Sequence, residues 1–160
     1  MSTPSLHRPS RRKLTASLRL ERWQRQMVYL AVALLTISGA VWLLGHFFLR
    51  PQTEFGASIS PLEPWSMKLH GAAAILLFFL FGTLLNMHIR LALRSRRNRR
   101  TGWMMLVMAA VLTLTGYCLY YFAGEQSRVF WSTVHWLLGV AFALGLVLHI
   151  VIGRRSLVPS

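Results

Sequence analysis

Apolar residues fall in four long blocks, at residues 27–49, 67–89, 102–123 and 130–153. A helix that crosses a bilayer needs about 20 mostly apolar residues, and each block reaches that length. None holds Asp, Glu or Arg in its interior, and Lys68 stands at an end, where its stem can lie along apolar surface while the ammonium reaches water. The connections at 50–66, 90–101 and 124–129 are short, so consecutive helices become antiparallel neighbours. In lipid every backbone polar group must be satisfied within the fold, which helices do by themselves. The pattern predicts an all-α, transmembrane, up-down four-helix bundle over residues 27–155, with a polar N-terminal arm at 1–26 and a short tail at 156–160. Ser10-Arg11-Arg12-Lys13 faintly resembles a twin-arginine signal. The apolar run begins well downstream and is long enough to span, which predicts an uncleaved first helix.

Composition agrees with lipid as the solvent. Of 160 residues, 54% are hydrophobic and 14% charged, against about 25% charged in soluble domains. Disorder is excluded, because disordered chains are poor in apolar residues. Charge is lopsided, with 18 Lys and Arg against 4 Asp and Glu. The basic residues sit between the apolar blocks and form no single surface stripe, so they do not point to nucleic acid. They sort by connection instead. Arg8, Arg11, Arg12, Lys13, Arg19, Arg22 and Arg25 precede the first block. Arg90, Arg94, Arg96, Arg97, Arg99 and Arg100 fill the middle link, and Arg154 and Arg155 close the last block. The opposite side has Arg50, Lys68 and Arg128, together with Glu54, Glu63 and Glu125. The positive-inside rule then places both termini and the middle link in the cytoplasm, with the basic runs against anionic lipid headgroups. Trp65, Trp103 and Trp131 fall near block ends, where amphipathic rings prefer the interface. The single cysteine, Cys118, allows no internal disulfide and no cysteine-based metal site.

The blocks echo one another. Leu35-Thr36-Ile37-Ser38-Gly39 in the first matches Leu112-Thr113-Leu114-Thr115-Gly116 in the third. The second ends in Met87-His88-Ile89 and the fourth in Leu148-His149-Ile150, and each has a histidine near its start, His70 and His135. Ionisable residues are costly inside a membrane and usually face the bundle interior. At about 100° per residue, the 18 residues from His70 to His88 make about five turns, so both rings share a face about 27 Å apart. The 14 residues from His135 to His149 stop about 40° short of four turns and span about 21 Å. With the second and fourth helices parallel, His70 and His135 fall at the outer end and His88 and His149 at the cytoplasmic end.

Two facing imidazoles can clamp the iron of a flat macrocycle from both sides. Structural zinc usually takes four N or S ligands at one point, more than either depth offers. The four histidines therefore read as axial ligands of two haems, one at each end. The spacings differ by four residues, about 6 Å of rise, which a tilt, a kink or unequal ring reach must absorb. Gly39 and Gly116 would give a porphyrin room against the first and third helices, or simply let helices pack closely. Arg90 and Arg94 beside His88, Arg154 and Arg155 after His149, and Lys68, Arg50 and Arg128 at the outer end are candidate partners for haem propionates. His46 lies at the outer depth with three roles open: a ligand in place of one of the outer pair, a quinone-binding or proton-shuttling imidazole, or an interfacial residue. His7 lies in the arm.

Trp65–His70 (W-S-M-K-L-H), Asn86–Arg90 (N-M-H-I-R), Val134–Gly139 (V-H-W-L-L-G) and Leu148–Arg155 (L-H-I-V-I-G-R-R) resemble the bacterial four-helix membrane cytochrome b proteins. These include the cytochrome b subunits of nickel–iron hydrogenases and formate dehydrogenases, and small stand-alone relatives. The resemblance covers roughly residues 27–155. It implies a bundle holding two b haems by bis-histidine ligation, and relatives that use a first-helix histidine leave His46 open. No catalytic domain is fused, so a dehydrogenase, hydrogenase or reductase partner would be a separate chain. The expected role is electron transfer across the membrane between a quinone or partner redox protein and an acceptor, as a carrier or subunit rather than a stand-alone catalyst. Two other readings remain: a haem-free anchor or assembly subunit with histidines as interhelical hydrogen-bonding residues, and a small transporter. The mid-span regions lack the acids and prolines that mark many transporters, and the absence of C-x-x-C-H excludes ordinary c-type attachment.

Overall fold

The computed structural model describes residues 21–90 and 99–155. The arm up to residue 20, the tail from 156, and Arg94, Arg96 and Arg97 of the middle link lie outside the described residues. Helices α1 (Arg22–Phe48), α2 (Leu62–Leu84), α3 (Arg99–Tyr121) and α4 (Glu125–Arg155) follow in order, and α2 continues into a π-turn at Leu85–Ile89. A two-residue antiparallel ribbon, β1 (Gln52–Thr53) with β2 (Gly56–Ala57), lies between α1 and α2. Gly56 sits at φ +103° in its turn, a conformation that costs glycine little and other residues much. All four helices are long and apolar enough to cross a membrane, as a multi-pass bundle requires.

Several helices begin before their apolar blocks. For α2 the cause is local chemistry at Ser60-Pro61-Leu62-Glu63. The Ser60 backbone N–H donates to Glu63 Oε1 at 3.2 Å, the Leu62 N–H lies 3.4 Å from Ser60 Oγ, and the Glu63 N–H donates to the Ser60 carbonyl at 3.0 Å. This is a capping box with proline at the first helical position. It starts the helix at residue 62 and puts Glu63 on its first turn.

The bundle is built from two hairpins. α1 packs along α2 and α3 along α4, while α1 and α4 make the main approach between hairpins. The buried positions of α1 are Gln24, Ala31, Val32, Ser38 and Gly45. Four of these, Gln24, Ala31, Ser38 and Gly45, recur every seven residues, as Ser66, Ala73 and Leu80 do on α2. A seven-residue repeat keeps one seam facing its partner when the helices cross at about 20°. Apart from Leu80, the seam residues are small or polar, while many large apolar side chains point outward, as with Ile75 at 75% exposure, Phe79 at 69% and Leu144 at 67%. A bundle in water does the reverse; in lipid, small residues let backbones approach closely and bulky ones meet the acyl chains. Midway along the bundle, Val32, Met105 and Phe142 form a core, with Val28, Leu77, Phe81, Met108, Ala109, Leu112 and Leu146 against it. Every helix contributes.

Candidate functional site

At the end carrying the two hairpin loops, His70 of α2 and His135 of α4 converge across the gap between hairpins. Their ring centres lie 6.2 Å apart with planes inclined by 67°. Neither ring uses Nε2 in a hydrogen bond to a described side chain. Both use Nδ1 within their own hairpin. His70 Nδ1 lies 3.0 Å from Ser38 Oγ, and His135 Nδ1 lies 2.8 Å from Thr115 Oγ1. Ser38 donates its own hydroxyl proton to the Leu34 carbonyl at 2.6 Å, and Thr115 donates to the Leu112 carbonyl at 3.1 Å. With its proton so placed, each oxygen has lone pairs to offer the imidazole. These hydroxyls are nearly inaccessible, with Ser38 at 2% and Thr115 at 4% exposure.

The glycine after each hydroxyl meets the same ring. A Cβ at Gly39 would lie 3.6 Å from His70 Cε1, and one at Gly116 would lie 3.3 Å from His135 Cε1. The glycines thus make room for the imidazole edges. The echoed L-T-[IL]-[ST]-G segments are two copies of one ring seat. The hydroxyl residue carries half of it, a role that sequence reasoning missed by attending to the glycine.

At the opposite, terminal end the same seat recurs in Thr101-Gly102. Thr101 Oγ1 lies 2.9 Å from His149 Nδ1, and a Cβ at Gly102 would lie 3.9 Å from His149 Cε1. His88 of the other hairpin lies within electrostatic reach of His149. It lies in the π-turn, where the Arg90 N–H bonds back to the Leu85 carbonyl. Such a turn holds one residue more than an α-turn. His88 is therefore rotated by about 100° from the shared face that an unbroken helix would give it. The two spacings also become effectively 17 and 14 residues, leaving about 4.5 Å of rise for tilt and ring reach to absorb. Within the described residues no three or more His, Cys, Asp or Glu side chains form a metal-binding group.

His46 belongs to a different cluster. Its Nδ1 lies 2.9 Å from Glu63 Oε2 and 2.7 Å from Arg50 Nη2, so it can donate to the carboxylate or accept from the guanidinium, one at a time. Arg50 donates to Glu63 through Nε at 3.0 Å and through Nη2 at 3.1 Å. The Glu63 carboxylate raises the pKa of Arg50. Trp42 stacks on His46 with ring centres 4.5 Å apart. The cluster ties the end of α1 to the start of α2. Gly45 admits it, since a Cβ there would lie 3.4 Å from Glu63 Cγ. The signal available in the sequence was the S-x-x-E capping box, which places Glu63 on the helix opposite His46.

Of the other candidate cations, Lys68 rests its Nζ 4.4 Å over the Trp65 ring, and Arg128 donates to the Ala123 carbonyl at 3.4 Å. Arg90, Arg154 and Arg155 are exposed at the terminal end. These features define an all-helical bundle of membrane-spanning length, in which two hairpins present opposed histidines at two levels. No protein-family model, curated protein or solved structure matches the chain.

Proposed function

We propose that this chain is a membrane electron-transfer protein that holds two b haems by bis-histidine ligation, His70 with His135 and His88 with His149. The observation that carries the reading is the convergence of His70 and His135 from separate hairpins. A metal–imidazole nitrogen bond is about 2.0 Å, and a ring centre lies about 1.1 Å behind its nitrogen, so two rings on one metal stand about 6 Å apart. The distance here is 6.2 Å. A ligating imidazole characteristically donates its other N–H to an acceptor, and Ser38, Thr115 and Thr101 stand in that place. The residues therefore fit the group.

When bound, haem supplies reversible one-electron chemistry at its iron. The chain's own residues hold the rings, fill the space between the two levels with Val32, Met105 and Phe142, and exclude water from it. The distribution of Lys and Arg supports a bacterial inner-membrane protein with cytoplasmic termini, which sets His70 and His135 toward the outside. A quinone or a separate redox subunit would donate or accept the electrons. His46 is not an iron ligand in this reading, because its ring stacks against Trp42 and Phe47 in the Glu63–Arg50 cluster, while His70 and His135 face each other. Arg50, paired with Glu63, is a weaker candidate for a propionate than Lys68.

A haem-free anchor is the second reading. The interhelical bonds from Ser38, Thr115 and Thr101 to histidines favour it, since they join helices without any cofactor. It gives no reason for His70 and His135 to meet without bonding each other. A reduced-minus-oxidised absorption spectrum of the detergent-purified chain separates the two. Six-coordinate, low-spin haem bands are expected, and a colourless preparation that takes up no added haem would favour the anchor.

A further inference from the structure

Three of the four interior histidines meet the same dipeptide on the neighbouring helix of their own hairpin: Ser38-Gly39 for His70, Thr115-Gly116 for His135 and Thr101-Gly102 for His149. On α3 the two copies are 14 residues apart, two seven-residue repeats, so they share one seam. We propose that Ser38, Thr115 and Thr101 are positioning residues. Ser38 and Thr115, whose hydroxyl protons go to carbonyls of their own helices, lock His70 and His135 as the Nδ1–H tautomer with Nε2 bare, and Thr101 stands in the same place against His149.

The chemistry follows from proton accounting. A neutral imidazole has one N–H and one lone pair, and the bond made by one nitrogen fixes the role of the other. A serine or threonine hydroxyl can act as donor or acceptor, so by itself it fixes nothing. Here the hydroxyl proton of Ser38 is spent on the Leu34 carbonyl and that of Thr115 on the Leu112 carbonyl. Only oxygen lone pairs remain for the ring, so Nδ1 must carry the proton. The adjacent glycine completes the seat by letting the ring edge lie against the helix backbone.

Position 24 of α1 stands 14 residues before Ser38, as Thr101 stands 14 before Thr115, yet Gln24-Arg25 replaces the hydroxyl–glycine pair there. Among the described residues, α3 carries such a seat at both levels and α1 carries one at the loop-end level. The residues at the two levels are therefore not equivalent, although the hairpins repeat.

The purpose of the lock rests on the haem reading, but the lock itself does not, and the test keeps them apart. The first readout is the 1H–15N spectrum of the full chain labelled with 15N-histidine and prepared without haem. His70 and His135 are expected to be protonated at Nδ1 and bare at Nε2. Thr115→Val, which keeps the shape and removes the hydroxyl, should release His135 to a mixture of tautomers, while Thr115→Ser should keep the native spectrum. The second readout is the pair of midpoint potentials of the haem-loaded chain. A hydrogen-bonded Nδ1–H makes the ligand more basic and favours ferric iron, so Thr115→Val should move one potential upward and Thr115→Ser should restore it. Ser38→Ala, which removes the corresponding acceptor from His70, should shift the same potential in the same direction. Native His135 in the Nε2–H form would overturn the proposal without any variant. So would a Thr115→Val chain with unchanged spectrum and potentials. A chain that shows the lock but takes up no haem would keep the positioning role and overturn the haem reading.

Discussion

Gly116 and Gly39 occupy corresponding places but leave different amounts of room. The His135 ring is held at Nδ1 by Thr115, the residue beside Gly116, so it cannot retreat from a new methyl group 3.3 Å away. Gly116→Ala should lower stability by about 1–3 kcal/mol through overpacking. Gly39→Ala meets ordinary contact at 3.6 Å and gains up to about 1 kcal/mol of helix propensity, so it should be neutral or stabilising. Thermal melts of both variants in one detergent check the difference, and equal midpoints would contradict it. Glu63 is the other residue on which much converges, since it serves Ser60, Arg50 and His46 together. Glu63→Ala should cost about 2 kcal/mol, combining a lost cap with a lost charged contact. His46→Ala should cost less and, on the haem reading, leave haem content unchanged. A His46→Ala chain that loses one haem would return His46 to the ligand set.

At the scale of elements, the length of each span was legible because a bilayer demands about 20 apolar residues whatever the sequence. The start of α2 was not, because Ser60-Pro61-Leu62-Glu63 begins the helix by hydrogen bonding while the reading followed hydropathy alone. The four interior histidines were legible as costly groups, and counting at about 1.5 Å of rise per residue gave their levels. The hydroxyl partners were visible in the echoed segments but gained meaning only once Thr101-Gly102 appeared against His149. The π-turn at Leu85–Ile89 was hidden, because one surplus residue leaves no mark on an apolar run. It also gives a test. A π-turn behaves as a one-residue insertion accommodated in place, so deleting Leu85 should convert it to α-helix and leave the approach of His88 to His149 intact. Deleting Ala74 from the regular part of α2 should rotate everything downstream by about 100°. The Leu85 deletion is expected to keep its thermal midpoint and haem content while the Ala74 deletion loses both, and the reverse order would contradict the role assigned to the turn.

At the scale of the molecule, two similar hairpins meet along a lightly packed boundary and each offers one imidazole per level. Among the described residues, packing within each hairpin is closer than packing between them, and on the proposed function the boundary is where the haems would be held. Such an arrangement ties cofactor binding to assembly, since a group bound only by the joined form stabilises that form by mass action. The most direct measurement is haem per chain in the native protein and in His70→Ala, His88→Ala, His135→Ala and His149→Ala. Two haems are expected in the native chain and one in each variant, with His70→Ala and His135→Ala losing the same spectral component and the other two losing the second. Absence of haem from the native chain, or full haem retained in His70→Ala or His135→Ala, would contradict the pairing of histidines across the hairpins.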